Sequence, residues 1–131
     1  MDKKDLKLAA EWIAKSKHLS AFTGAGISVE SGIPAFRGED GIWNEYDPDI
    51  LDINNYLSNP KETWPVIRKL FYQYFKEAIP NEAHRMLSSL ESRGFLKSII
   101  TQNIDNMHQE AGSINVIEYH GNSNWMVCTQ C

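Results

Sequence analysis

Thr23-Gly24-Ala25-Gly26-Ile27-Ser28-Val29-Glu30-Ser31-Gly32-Ile33-Pro34-Ala35-Phe36-Arg37-Gly38 follows a short apolar run at 19–22 and has neither helical nor strand periodicity. Glycines, lacking Cβ, let backbone N–H groups approach an anion closely, and a helix N-terminus behind them adds partial positive charge. The first reading is a cradle for the phosphates of a nucleotide. The strict G-x-G-x-x-G fingerprint is not met, because Val29 stands where the third glycine belongs and the region around Trp43, Asn44 and Glu45 does not read as a second strand. Taken alone, the stretch leaves a flexible surface loop open as the alternative.

The surrounding chain narrows the choice. Its 131 residues are 42% hydrophobic and 23% charged, enough for one folded domain with a core. A net charge of −4 offers no general attraction to nucleic acid or to an anionic membrane. No apolar run reaches the roughly 18 residues of a membrane span. Met1-Asp2-Lys3-Lys4-Asp5 opens an amphipathic pattern in place of a signal peptide, which makes the cytoplasm the expected location.

Helical and strand patterns alternate. Asp2 and Asp5 are a capping pair for a first helix carrying Leu6, Ala9, Ala10, Ile13 and Ala14 and ending at 15–17. Residues 19–22 read as a strand. Asn59-Pro60 is a cap followed by proline at the first helical position, opening a region with Trp64, Ile67, Phe71, Tyr74 and Phe75 as a core stripe and Pro65 as a kink or a restart. Asn81 caps a further helix that Gly94 ends, and 95–101 and 116–119 are strands. Strands separated by helices predict a parallel sheet, whose ligands bind beyond the carboxyl ends of the strands. Three loops then meet at one edge: Thr23 to Gly26, Thr101 to Asp105, and His120-Gly121-Asn122. Glycines for phosphate, amides and a carboxylate for hydroxyls and a carboxamide, and a histidine titrating near neutrality amount to a catalytic set.

Simpler roles compete for several of these residues. Asp105 can cap a helix over 106–111, His84 can cap or pack on the helix after Asn81, and His108 reads as structural. Cys128 and Cys131 form a single Cys-x-x-Cys at the end of the sequence, half of a tetrahedral zinc set, with a redox dithiol or an unused pair of thiols as alternatives.

Gly24-Ala25-Gly26-Ile27-Ser28, Gly32-Ile33-Pro34-Ala35-Phe36-Arg37-Gly38, Pro80-Asn81-Glu82-Ala83-His84, Thr101-Gln102-Asn103-Ile104-Asp105-Asn106-Met107-His108 and Tyr119-His120-Gly121 together resemble the successive signatures of the sirtuin family, in the family's order. The resemblance spans about Ala21 to Cys131. It implies an α/β fold: part of a doubly wound, Rossmann-like parallel sheet with flanking helices, truncated at the start of a zinc-binding module. Residues 1–124 would form the NAD-binding part and 125–131 the beginning of that module.

The implied activity is NAD-dependent removal of acyl groups from lysine in a protein or peptide, releasing nicotinamide and O-acyl-ADP-ribose. By resemblance, Gly24, Ala25, Gly26 and Ser28 line the NAD phosphates, and Ala35, Phe36 and Arg37 belong to a mobile loop over the cofactor. Gln102, Asn103, Ile104 and Asp105 hold the nicotinamide ribose and carboxamide. His120 is the general base, with Asn103 beside it among the catalytic residues, and Cys128 and Cys131 are zinc ligands. Relatives that prefer acidic acyl groups carry a tyrosine and an arginine three residues later. Tyr72 is followed at that spacing by Phe75, so neutral acyl groups are expected. The second reading is a fragment that binds NAD or ADP-ribose without catalysis, or serves only as a scaffold.

Overall fold

Polar residues at the chain's turns set the helix starts. The computed structural model describes every residue except Met1, Met126, Thr129 and Cys131. The Asp2 side chain accepts from the Lys4 N–H at 3.2 Å and opens helix α1, Lys3–Lys15. The helix stops where its sequence predicts, yet none of its residues is buried and Trp12 is 68% exposed.

Three strands follow in one parallel sheet: β1 (Leu19–Thr23), β2 (Leu96–Thr101) and β3 (Val116–Glu118), side by side in that order. The register matters more than the count. Thr23 pairs with Thr101, and Thr101 with Glu118, so the three strands end level with one another. The ladder runs one bond further, with Gln102 N–H donating to the Thr23 carbonyl at 3.0 Å and Tyr119 N–H to the Thr101 carbonyl at 2.9 Å. The chain therefore leaves all three strands at one edge.

Between β1 and β2 lies a mostly helical excursion. A 3₁₀ segment, Ala25–Ser31, follows the first glycine, and further 3₁₀ turns occupy Ile42–Asn44 and Pro48–Leu51. Helix α2 (Ile53–Ser58) lies where no element was read from the sequence. Asp52 caps it through the N–H groups of Asn54 and Asn55, and six residues are too few to display a helical period. Helix α3 (Pro60–Ile67) starts at the expected proline, but Asn59 does not cap it with its side chain, which donates to Asn55 Oδ1 instead.

Pro65 neither stops nor restarts α3. The break comes beyond it, in a π-helical stretch Arg68–Gln73 that leads into α4 (Tyr74–Glu77). The wider turn spoils the 3.6-residue stripe. Leu70 is 2% exposed, whereas Trp64 and Tyr74, expected in the core, are 39% and 36% exposed. Helix α5 (Glu82–Ser92) carries a full capping box, in which Asn81 receives Ala83 and His84 N–H groups and His84 Nδ1 accepts from Asn81 N–H. Gly94, at φ +78, ends it as its position predicts. Helix α6 (Met107–Glu110) lies between β2 and β3.

The buried interior is unusually polar. Ile99, Met107 and Leu70 share it with Ser28, His84, His108 and Thr63, each at most 2% exposed. Phe75 packs on the small cluster of Ile33, Ala78 and Met107. No helix among the described residues is long and apolar enough to cross a membrane.

Candidate functional site

Because β1, β2 and β3 end in register, the segments that follow them open onto a single cavity of about 1000 Å³. Gly24, Ala25, Gly26 and Ser28 line it from the first segment, Gln102, Asn103, Ile104 and Asp105 from the second, and His120 from the third. Ala35, Phe36 and Arg37 also face it. Thus every cofactor-binding or catalytic candidate named from the sequence reaches one space, although 96 positions separate Gly24 from His120 (120 − 24).

A buried hydrogen-bond network joins the first two segments. Ser28 Oγ donates to Asp105 Oδ2 at 2.6 Å, and Asn103 Nδ2 donates to Ser28 Oγ at 3.1 Å and to the Gly24 carbonyl at 3.2 Å. Asp105 Oδ1 accepts from Met107 N–H at 3.1 Å. The carboxylate therefore both starts α6, across Asn106, and braces the glycine segment. The two readings of Asp105, a cap and a site residue, are compatible.

Behind this network stand two buried imidazoles. His108 Nε2 lies 2.8 Å from Thr23 Oγ1, and its ring meets that of His84 edge-on at 4.9 Å between centroids. Burial pushes the His108 imidazole down to about 4, with the neighbouring His84 adding to the shift and Asp105 opposing it. Burial lowers His84 likewise, again against Asp105. Both rings are therefore neutral at physiological pH. Asn81, whose side chain donates to the Ile27 carbonyl at 2.7 Å and Ser31 Oγ at 3.0 Å, ties the start of α5 to the same glycine segment.

The segment bearing Phe36 and Arg37 is folded back on itself. Ile42 N–H donates to the Ala35 carbonyl and Trp43 N–H to the Phe36 carbonyl, and the Phe36 ring stacks on Trp43 at 5.2 Å. Arg37 is exposed and forms no ion pair among the described residues. Gly41 makes the fold-back possible, since a Cβ there would lie 2.7 Å from the Arg37 carbonyl carbon. Sequence reasoning passed over Gly41 because it falls in no repeated spacing.

The rest of the cavity wall is apolar and includes Leu51, Ile53, Tyr56, Trp64, Ile67, Phe71 and Phe75. The aromatic stripe read as core is largely this wall. Leu51, Ile53 and Tyr56 were missed, and the Asp52 cap was the signal that could have placed Ile53 and Tyr56 on a helix. Phe75 lines the cavity, while Tyr72 is not among its lining residues and packs against Trp64 at 6.0 Å.

Cys128 is exposed, and Cys131 lies outside the described residues. Among the described residues no group of three or more His, Cys, Asp or Glu side chains could hold a metal ion. Thiolates suit zinc, but a closed tetrahedral site needs four ligands, so the described residues do not make one.

Comparison with known proteins agrees with this geometry. The Sir2 family profile matches residues 24–131. The chain is 48% identical over 128 residues to NAD-dependent protein deacylase 2 of Archaeoglobus fulgidus, covering 97% of the chain and 50% of that protein. It is 50% identical over 123 residues to an NAD-dependent protein deacetylase of Caldivirga maquilingensis, covering 94% and 48% respectively. The chain spans about half the length of the curated relatives it matches. Among solved structures, a Sir2 homologue in complex with ADP-ribose superposes over 100% of this chain and 51% of its own, at TM-score 0.87 and 45% identity. A Sir2 complex with deacetylated p53 peptide and 3′-O-acetyl ADP-ribose covers 89% of this chain and 47% of its own, at TM-score 0.86 and 41% identity. With three parallel strands, flanking helices and the signature segments around one cavity, the chain belongs to the Sir2 family.

Proposed function

We propose that this chain forms the cofactor-binding half of an NAD-dependent protein-lysine deacylase. The observation that carries the reading is the convergence of the three strand-end segments on one cavity, with His120 facing the same space as Gly24, Asn103 and Asp105. NAD supplies an activated ribose carbon whose leaving group is nicotinamide. The glycine segment offers backbone N–H groups to the pyrophosphate, and Arg37, in no ion pair among the described residues, adds a guanidinium. Asn103 and Asp105, braced by Ser28, hold sugar hydroxyls and carboxamide in fixed orientation, which lowers the entropic part of the barrier. Phe36, stacked on Trp43, covers the cofactor and keeps bulk water away. His120 takes a proton from a ribose hydroxyl, help worth typically about 10²–10⁴-fold in rate.

The acyl group goes to the apolar wall formed by Ile67, Phe71 and Phe75. With Phe75 where a cation would be needed, acetyl and longer neutral acyl groups are favoured over acidic ones. Residues 1–124 form the nucleotide-binding part, and Cys128 with Cys131 contributes half of a zinc site to a module beginning near residue 125.

The test uses the full-length protein, NAD and an acetyl-lysine peptide, with released nicotinamide as the readout. His120→Ala is expected to abolish deacylation while ADP-ribose binding, followed by calorimetry, persists. Near-normal turnover of that variant would remove His120 from the reaction. A second reading is a chain that binds NAD or ADP-ribose without catalysis. It predicts that the 131-residue chain binds ADP-ribose but releases no nicotinamide.

A further inference from the structure

His120 sits at the middle of a five-residue stretch whose ends are tied together. Asn122 Nδ2 donates to Glu118 Oε1 at 2.5 Å, closing the chain around the histidine from one side chain to the other. The same Glu118 oxygen accepts from Gln109 Nε2 of α6 at 2.7 Å, and Asn122 Nδ2 also donates to Asn106 Oδ1 at 3.1 Å. Ser123 completes the attachment, its N–H and Oγ both donating to the Ile104 carbonyl, at 3.0 and 2.8 Å. Asn106 has φ +65, the only positive φ of a non-glycine residue among those described, and its side chain takes part in the tie.

The ring of His120 has none of this support. It is exposed, touches the Tyr119 ring edge-on at 5.1 Å, and makes no hydrogen bond among the described residues. Its position is set by the backbone that carries it. That backbone is held by half-buried polar side chains lying outside the cavity lining.

We propose that Glu118 and Asn122 form a clasp that positions His120 against the segment carrying Asn103 and Asp105. The clasp rests on the reading of His120 as a general base. Both are positioning residues, acting through His120 and not on the substrate. The charged carboxylate makes the tie stronger than one between neutral partners, and a displacement of about 1 Å can cost about 10²-fold in rate.

The experiment measures kcat, KM for NAD, ADP-ribose affinity and thermal midpoint in the full-length protein. Asn122→Ala and Glu118→Leu are expected to lower kcat by about 10- to 100-fold, with KM, affinity and midpoint nearly unchanged. Glu118→Gln, which keeps the accepting oxygen, should stay close to the parent. Asn122→Asp sets a second carboxylate against Glu118 and should lower kcat further. Normal kcat in Asn122→Ala and Glu118→Leu, a parallel loss of ADP-ribose affinity and thermal midpoint, or a loss in Glu118→Gln equal to that in Glu118→Leu would each overturn the clasp. His120→Ala run alongside separates the two claims: if it is inactive while the clasp variants are normal, only the clasp fails. If it retains turnover, the reading beneath the clasp fails.

Discussion

Ser28 has no solvent exposure and a hydroxyl committed on two sides, donating to Asp105 and accepting from Asn103. Its removal leaves a carboxylate oxygen and an amide N–H short of a partner inside the protein. An unsatisfied buried group costs about 1–3 kcal/mol, so Ser28→Ala is expected to lower the urea midpoint and to weaken ADP-ribose binding together. Equal midpoints and equal calorimetric affinities for variant and parent would contradict this. The resemblance to the sirtuin family marked Ser28 as a phosphate neighbour. It could not mark the bond to Asp105, because that contact spans 77 positions and obeys no local spacing.

The stretch from Ala35 to Trp43 shows how a short element depends on one small residue. Its fold-back brings Gly41 against the backbone of Phe36 and Arg37, with no room for a side chain. Gly41→Ala must push these backbones apart, a shift no rotamer change can absorb. The expected outcome is weaker ADP-ribose binding and a loss of Trp43 fluorescence response on binding, while the far-ultraviolet circular dichroism of the sheet and helices is retained. Unaltered affinity would mean that this segment is dispensable for binding. Elsewhere, element types were legible where local chemistry is strong: Asp2 starting α1, Asn81 starting α5 and Gly94 ending it. They were illegible over Ile53–Ser58 and Arg68–Gln73, where a six-residue helix and a π-helical stretch obscure the period.

At the scale of the whole molecule, the polar interior makes stability depend on pH. His108 titrates near 4 in the folded chain against an ordinary 6.5, so the unfolded state binds more protons between those values. Stability from this group is complete above about pH 6.5 and declines as pH falls toward 4, by about 3 kcal/mol in all if the full shift is realised. His84, lowered for the same reason, acts in the same direction. Urea midpoints measured from pH 7.5 to 4.5 should fall more steeply for the parent than for His108→Gln. Parallel profiles would show that the buried imidazole is not responsible.

The sequence by itself determined where the three strands lie, the caps at Asp2 and Asn81, and the polar segments that follow the strands. Those properties follow from neighbours a few positions apart: turn residues, capping side chains and the recurrence of glycine, amide and histidine after apolar runs. Only the tertiary structure decided that the aromatic stripe walls a cavity, that Asp105 braces Ser28, that His108 backs Thr23, and that Glu118 and Asn122 enclose His120. The first of these depends on π-helical geometry and on an open space beside the helix. The bonds from Asp105 and His108 join residues 77 and 85 positions apart and exist only because the three strands end level. The clasp is local in sequence, but its attachment to Asn106 and Ile104 requires β3 to lie beside β2.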